Sequence, residues 1–189
     1  MQTRALAPTL ISENATLRWV SYALLAIAGS LIMTLSAKVQ VPMYPVPMTL
    51  QTLAILGIAA AYGRNLAVAT MVLYLAQGFF GLPVFAGAAT GPAYFAGPTG
   101  GFLIGFIVSA AIVGEAADRG WGESFVKIAL AMLIGTAAVF TLGFLWLASF
   151  AGAATAFTAG VVPFVLGDLV KIAFASCIVA ALWSLVRRS

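Results

Sequence analysis

The sequence predicts an all-α membrane protein, a compact bundle of six transmembrane helices with both termini cytoplasmic. Three observations lead there. Charged residues make up 7% and hydrophobic residues 63% of the 189-residue chain, against about 25% and 45–50% in soluble domains, so charges are too few to coat a water-facing surface. Mean hydropathy is +1.10. Apolar runs broken by Gly, Pro or charge recur six times, close to what this length holds at roughly 20 residues per crossing. The chain, 1–189, therefore reads as a single integral membrane domain, with residues 1–16 as a polar cytoplasmic tail.

The first helix is expected over Leu17–Ala37, an apolar run without a small-residue cleavage site. Three prolines follow, Pro42, Pro45 and Pro47; each fixes φ and lacks an N–H, so an extended loop replaces helix. A second helix, Met48–Tyr62, stops at Gly63-Arg64-Asn65, and a third covers Leu66–Phe80. The stretch Gly81–Gly101 holds six glycines, three prolines and no charge. It is too apolar for an aqueous loop and too broken for a helix. Irregular backbone at membrane depth needs protein or a wet cavity beside it, which makes this stretch a lid or re-entrant loop. A fourth helix is expected over Phe102–Gly114, and Glu115, Asp118, Arg119, Glu123 and Lys127 then mark a polar loop. A fifth spans Val126–Phe150, an uncharged connection runs Ala151–Gly160, and a sixth helix covers Pro163–Leu185. With the N-terminus inside, Arg4, Arg18, Arg64, Arg119, Lys127, Arg187 and Arg188 all fall on the cytoplasmic side and Lys38 alone outside, as the positive-inside bias requires.

Composition also excludes function classes. The chain has no His and one cysteine, Cys177, so His-based triads, cysteine metal clusters and internal disulfides are ruled out. It has no P-loop and no G-x-S-x-G. The basic residues are scattered at span edges rather than gathered into a nucleic-acid patch. No metal and no catalytic residue is expected.

Asp168 and Lys171 are the ionisable residues inside an apolar span. Each costs on the order of 2.5–3.5 kcal/mol at a helix centre, so the pair demands a reason. Spacing i,i+3 puts both on one face, near the outer end of the helix. They form either a self-neutralising structural pair or a ligand site, Lys for an anionic group and Asp for N–H donors. Phe85 and Tyr94 offer apolar walls. Thr90 and Thr99 offer hydroxyls, and the glycines, Gly100 and Gly101 among them, allow close backbone approach. Thr49 caps the second helix or joins the site with Gln51, a polar residue in an apolar start. Gly101-x-x-x-Gly105 and Ala26-x-x-x-Ser30 are small-residue faces; the first suits helix packing, the second a partner.

Four segments carry a resemblance: Pro45-Val46-Pro47-Met48-Thr49-Leu50-Gln51-Thr52, Gly81-Leu82-Pro83-Val84-Phe85-Ala86-Gly87, Gly97-Pro98-Thr99-Gly100-Gly101-Phe102 and Gly167-Asp168-Leu169-Val170-Lys171. In this order and spacing the chain resembles the BioY family, the biotin-specific substrate-capture subunits (S components) of energy-coupling factor transporters. The resemblance runs from the first helix to the last. It implies a prokaryotic cytoplasmic-membrane protein with no cofactor, whose transported ligand is biotin. The implied partners are a membrane coupling subunit (T component) and two ATPase subunits, or further copies of the chain through self-association. It implies that Asp168 and Lys171 contact the ligand; Asp168 suits the ureido group, while Lys171 is open between the ligand carboxylate and Asp168. Two departures stand out. Some relatives carry an Asn in the Gly-rich loop where this chain reads Gly87-Ala88-Ala89-Thr90. On the first helix Ala26-x-x-x-Ser30 stands where S components often show Ala-x-x-x-Ala. Alternatives are an S component for another vitamin, or an autonomous carrier using Asp168 as a proton site. An intramembrane enzyme lacks a second carboxylate near Asp168.

Overall fold

The computed structural model describes residues 5–6 and 15–186; the rest of the expected tail, along with Arg4, Arg187 and Arg188, lies outside the described residues. Helix α1 spans Ala15–Lys38, and a two-residue antiparallel ladder, β1 (Gln40–Val41) with β2 (Met48–Thr49), follows. Pairing Gln40 with Thr49 and Val41 with Met48 satisfies backbone groups around the proline-rich turn, which cannot satisfy its own. The second helix therefore starts at Gln51 and not at Met48, whose N–H and C=O are committed to the ladder.

Helix α2 (Gln51–Phe79) is two helices in one. Gly63 at its middle has φ 74° and ψ 175°, a conformation open to glycine at little cost. The chain reverses there. A straight helix would set Gln51 and Tyr74 about 35 Å apart at 1.5 Å per residue, yet their side chains are hydrogen-bonded at 2.8 Å. The two arms are the expected second and third helices, with one residue between them instead of three. Asp118 from the next long helix braces the turn, Oδ2 accepting the Arg64 N–H at 2.9 Å at the start of the second arm, where a carboxylate is favoured by the helix dipole.

After the loop come a four-residue helix α3 (Pro92–Phe95), helix α4 (Gly100–Asp118) and a 3-10 turn (Trp121–Glu123). Helices α5 (Phe125–Ala151), α6 (Ala153–Gly160) and α7 (Val162–Val186) complete the chain. Four expectations are corrected here. Pro92 sits in the first turn of α3, where its missing N–H is harmless, so the lid contains a helical turn. The pair Gly100-Gly101 opens α4 rather than ending the lid. Glu115 and Asp118 lie on α4 rather than in a polar loop. The Gly/Ala/Thr-rich connection after α5 is the helix α6.

Helix α4 is the central element, the most buried of the long helices. It can sit there because it is narrow: a Cβ at Gly105 would come within 2.7 Å of the Val139 Cα, and one at Gly101 within 2.4 Å of the Leu142 carbonyl, so Gly101-x-x-x-Gly105 packs α4 tightly on α5. Helix α1 is tied to both arms of α2, through the Tyr62 hydroxyl donating to Leu25 O at 3.0 Å and the Ser30 hydroxyl donating to Gln77 Oε1. Ser30, 1% exposed, therefore faces inward, while Ala26 one turn earlier is half-buried.

Five helical stretches among the described residues are long and apolar enough to cross a bilayer, and the second of them is the doubled α2. The outward faces are apolar: on α7, Leu166, Val170 and Phe174 are exposed while Asp168, Ile172 and Ser176 are buried. Such a surface suits lipid, since water-soluble monomers seldom expose broad apolar patches. The molecule is a multi-pass, all-α membrane protein.

Candidate ligand site

At the end of the bundle opposite Gly63, α7 brings Asp168 and Lys171 against the start of α2. The ammonium of Lys171 lies 2.6 Å from Asp168 Oδ1. It also donates to Thr49 O at 2.8 Å and Thr52 Oγ1 at 3.0 Å. Its three protons thus have three acceptors, the full capacity of an ammonium. The Thr52 hydroxyl passes its own proton to Asp168 Oδ1 at 3.0 Å. Asp168 is 3% exposed and the Lys171 side chain 12%. A buried charge pair is tolerated when its remaining hydrogen-bonding capacity is met; Thr49 and Thr52 meet that of Lys171, and Thr52 adds a second bond to Asp168 Oδ1.

The pair does not close the space beside it. Asp168 and Lys171 line a cavity with Thr49, Gln51 and Thr52 on the polar side. Val46 and Pro47 of the first loop and Ala86, Tyr94 and Thr99 of the second form its cover. Phe102, Leu103 and Phe106 of α4, Val139 and Phe140 of α5 and Phe164 of α7 form an apolar floor. Its core measures about 50 Å³ and widens into about 530 Å³ of space between atoms, mouth included. A few polar groups set into an apolar, aromatic enclosure are what a small-molecule site requires.

Gln51 is buried and oriented on both sides. Its Nε2 donates to Tyr74 Oη at 2.8 Å, its Oε1 accepts from Thr49 Oγ1 at 3.2 Å, and Tyr74 passes its own proton to Val84 O at 3.0 Å. Thr49 Oγ1 also accepts the Gln51 N–H at 3.2 Å, so Thr49 both braces the helix start and lines the cavity. The Tyr94 hydroxyl faces Thr99 and the Ala86 backbone, and burial pushes its pKa up, so it stays a neutral phenol.

Of the ten residues expected at the site, Asp168, Lys171, Gln51, Thr49, Tyr94 and Thr99 converge on this cavity. Phe85, Thr90, Gly100 and Gly101 do not line it. The Phe85 ring fills a notch over Gly78, where a Cβ would come within 2.0 Å of it, and stacks behind Tyr94 at 4.6 Å. Gly100 and Gly101 abut the Trp146 side chain, so their lack of a side chain serves helix contact. Thr90 is half-buried in the loop before α3. Thr52, absent from the expected set, is a hub of the polar cluster; the signal for it was its place one helical position after Gln51, four residues from Met48, on an otherwise apolar arm.

The family model described as the BioY family matches residues 8–188. The probable biotin transporter BioY of Pyrococcus horikoshii is 36% identical over 142 residues, which cover 75% of this chain and 83% of that protein. The biotin transporter BioY of Thermotoga maritima is 33% identical, over 78% and 86%. In three dimensions the chain superposes on a crystal structure of the S-component for biotin from an ECF-type ABC transporter with TM-score 0.77 and 25% identity, covering 91% of this chain and 94% of the other.

Proposed function

The chain belongs to the BioY family, and from that premise we propose that it captures biotin as the S component of an energy-coupling factor transporter. The observation that carries the reading is the cavity itself: a buried acid and base on one helix turn, open to an aromatic-walled space. Biotin has a ureido head with two N–H donors and one carbonyl, an apolar sulfur ring and an anionic tail. Because Asp168 and Lys171 are in contact, they address the same end of the guest. Asp168 Oδ2, the oxygen not engaged by Lys171 or Thr52, accepts a ureido N–H. Lys171 exchanges one of its three acceptors for the ureido oxygen, rather than reaching the distant carboxylate. The ring lies on Phe102, Phe106 and Phe164, and the tail points to the mouth, where Tyr94 and Thr99 present hydroxyls.

The chain carries out no reaction of its own. It works with a membrane coupling subunit and two ATPase subunits, or with further copies of itself. It sits in a prokaryotic cytoplasmic membrane with both termini inside and the cavity end outside, the orientation that places Arg64, Arg119 and Lys127 on the cytoplasmic face.

Protein purified in detergent from biotin-free cells is expected to bind biotin at one site by calorimetry, and protein from biotin-fed cells to release it in mass spectrometry. A titration without heat for biotin, together with a clear response to a different vitamin, would reassign the guest. Thr52→Val removes the hydroxyl that joins Lys171 to Asp168 while keeping the shape. Losing one hydrogen bond to each charged partner should weaken biotin binding about tenfold and also lower the melting temperature, since one Lys171 N–H is left without an acceptor.

A further inference from the structure

Lys38 ends α1 and is exposed, in the position of an ordinary solvated lysine, yet its ammonium is not left to water. Nζ donates to Phe85 O at 2.7 Å and to Gly87 O at 3.1 Å, 47 and 49 residues away. The same stretch is held from beneath by the Tyr74 hydroxyl on Val84 O at 3.0 Å. Between these anchors lies Ala86, which lines the cavity, and the Phe85 ring stacks on cavity-lining Tyr94. The loop from 81 to 91 has no charge of its own, so the ammonium supplies the charge-assisted bonds that it receives from α1.

We propose that Lys38 is a positioning residue for guest entry and exit: it clasps the 84–87 stretch to the end of α1 and thereby sets how often that wall of the cavity opens. The assignment rests on the ligand-capture reading above. Lys38 does not line the cavity, so it has no direct contact by which to favour the occupied over the empty site. A clasp made equally in the empty and the occupied protein leaves the binding equilibrium alone; it changes the barrier, which passage in both directions shares.

Lys38→Met keeps the aliphatic stem and removes the donors, and Lys38→Arg keeps donors. Stopped-flow binding of a fluorescent biotin derivative to the purified protein should show association and dissociation both about fivefold faster in Lys38→Met, on the scale of a lost charge-assisted bond. The dissociation constant should stay within about twofold, with Lys38→Arg close to the parent protein. Amide hydrogen exchange at residues 84–88 should quicken in Lys38→Met while the helices exchange as before. Unchanged rates with unchanged exchange would overturn the assignment. So would a slower association, or a dissociation constant that rises while association stays fixed, since either places Lys38 in the bound state's energetics. Failure of the parent protein to bind biotin sinks the ligand-capture reading instead, and the exchange measurement still decides whether Lys38 restrains the loop.

Discussion

Replacing Asp168 by alanine is expected to raise the dissociation constant for biotin at least tenfold, about 1.4 kcal/mol, and to lower the melting temperature in detergent. Two losses add. The guest loses its N–H acceptor, a hydrogen bond to a charged group worth about 1.5–3 kcal/mol. Lys171 loses the counter-ion 2.6 Å away while remaining 12% exposed, and breaking a buried pair from one side typically costs about 3–5 kcal/mol. Thr49 O and Thr52 Oγ1 still hold the ammonium, so the protein should fold. Lys171→Ala is the complementary case, leaving Asp168 without its cation, and it too should weaken binding at least tenfold, about 1.4 kcal/mol. Calorimetric titration of both variants checks the pair; parent-like curves for both would remove the site from this end of the bundle.

Gly63→Ala is expected to cost the protein much of its stability. The backbone there has φ 74°, and an L-residue in the left-handed region costs roughly 1–2 kcal/mol. The added Cβ would also sit 2.3 Å from Asp118 Oδ1, so the carboxylate must move off the Arg64 N–H, forfeiting another charge-assisted bond of about 1.5–3 kcal/mol. The sum, about 2.5–5 kcal/mol, should appear as a large drop in thermal midpoint in detergent. Gly57→Ala, on the first arm with no atom within 4 Å of the new methyl, is the control and should change little. Equal midpoints for the two variants would show that the reversal is not held by the Gly63 backbone.

The long helices were legible because apolar runs of this length have few other uses, and the Asp168–Lys171 pair because charge inside such a run is costly. Other features misled for a physical reason. Glycine breaks helices in water through backbone entropy, but in a tightly packed membrane bundle the same residue starts one, as at Gly100-Gly101, by letting α4 approach Trp146. The small residues of α6 gave no periodic apolar stripe, so Ala153–Gly160 read as a connection. Glu115 and Asp118 read as loop because they are charged, though α4 extends far enough for Glu115 to meet Arg64 and Arg119 at 3.4 and 2.8 Å. The roles of Thr52 and Lys38 depend on partners 116 and 47 residues distant; the polar start of the arm hinted at Thr52, and nothing local at Lys38.

That sequence separation bears on how the protein is made. Thr49 O and the Thr52 hydroxyl enter the membrane with the first arm of α2, and Lys171, their partner, follows 122 and 119 residues later. Synthesis proceeds from the N-terminus, so throughout insertion of the intervening helices these groups lack the cation that satisfies them. The acid and base, for their part, arrive together on the last helix at i,i+3 spacing, where each can offset the other's charge. Docking of α7 is then the event that completes the polar cluster, and a chain stalled before it would offer biotin a greasy cleft without a recognition element. The polar cluster is thus complete only in molecules whose last helix has docked on the first arm of α2.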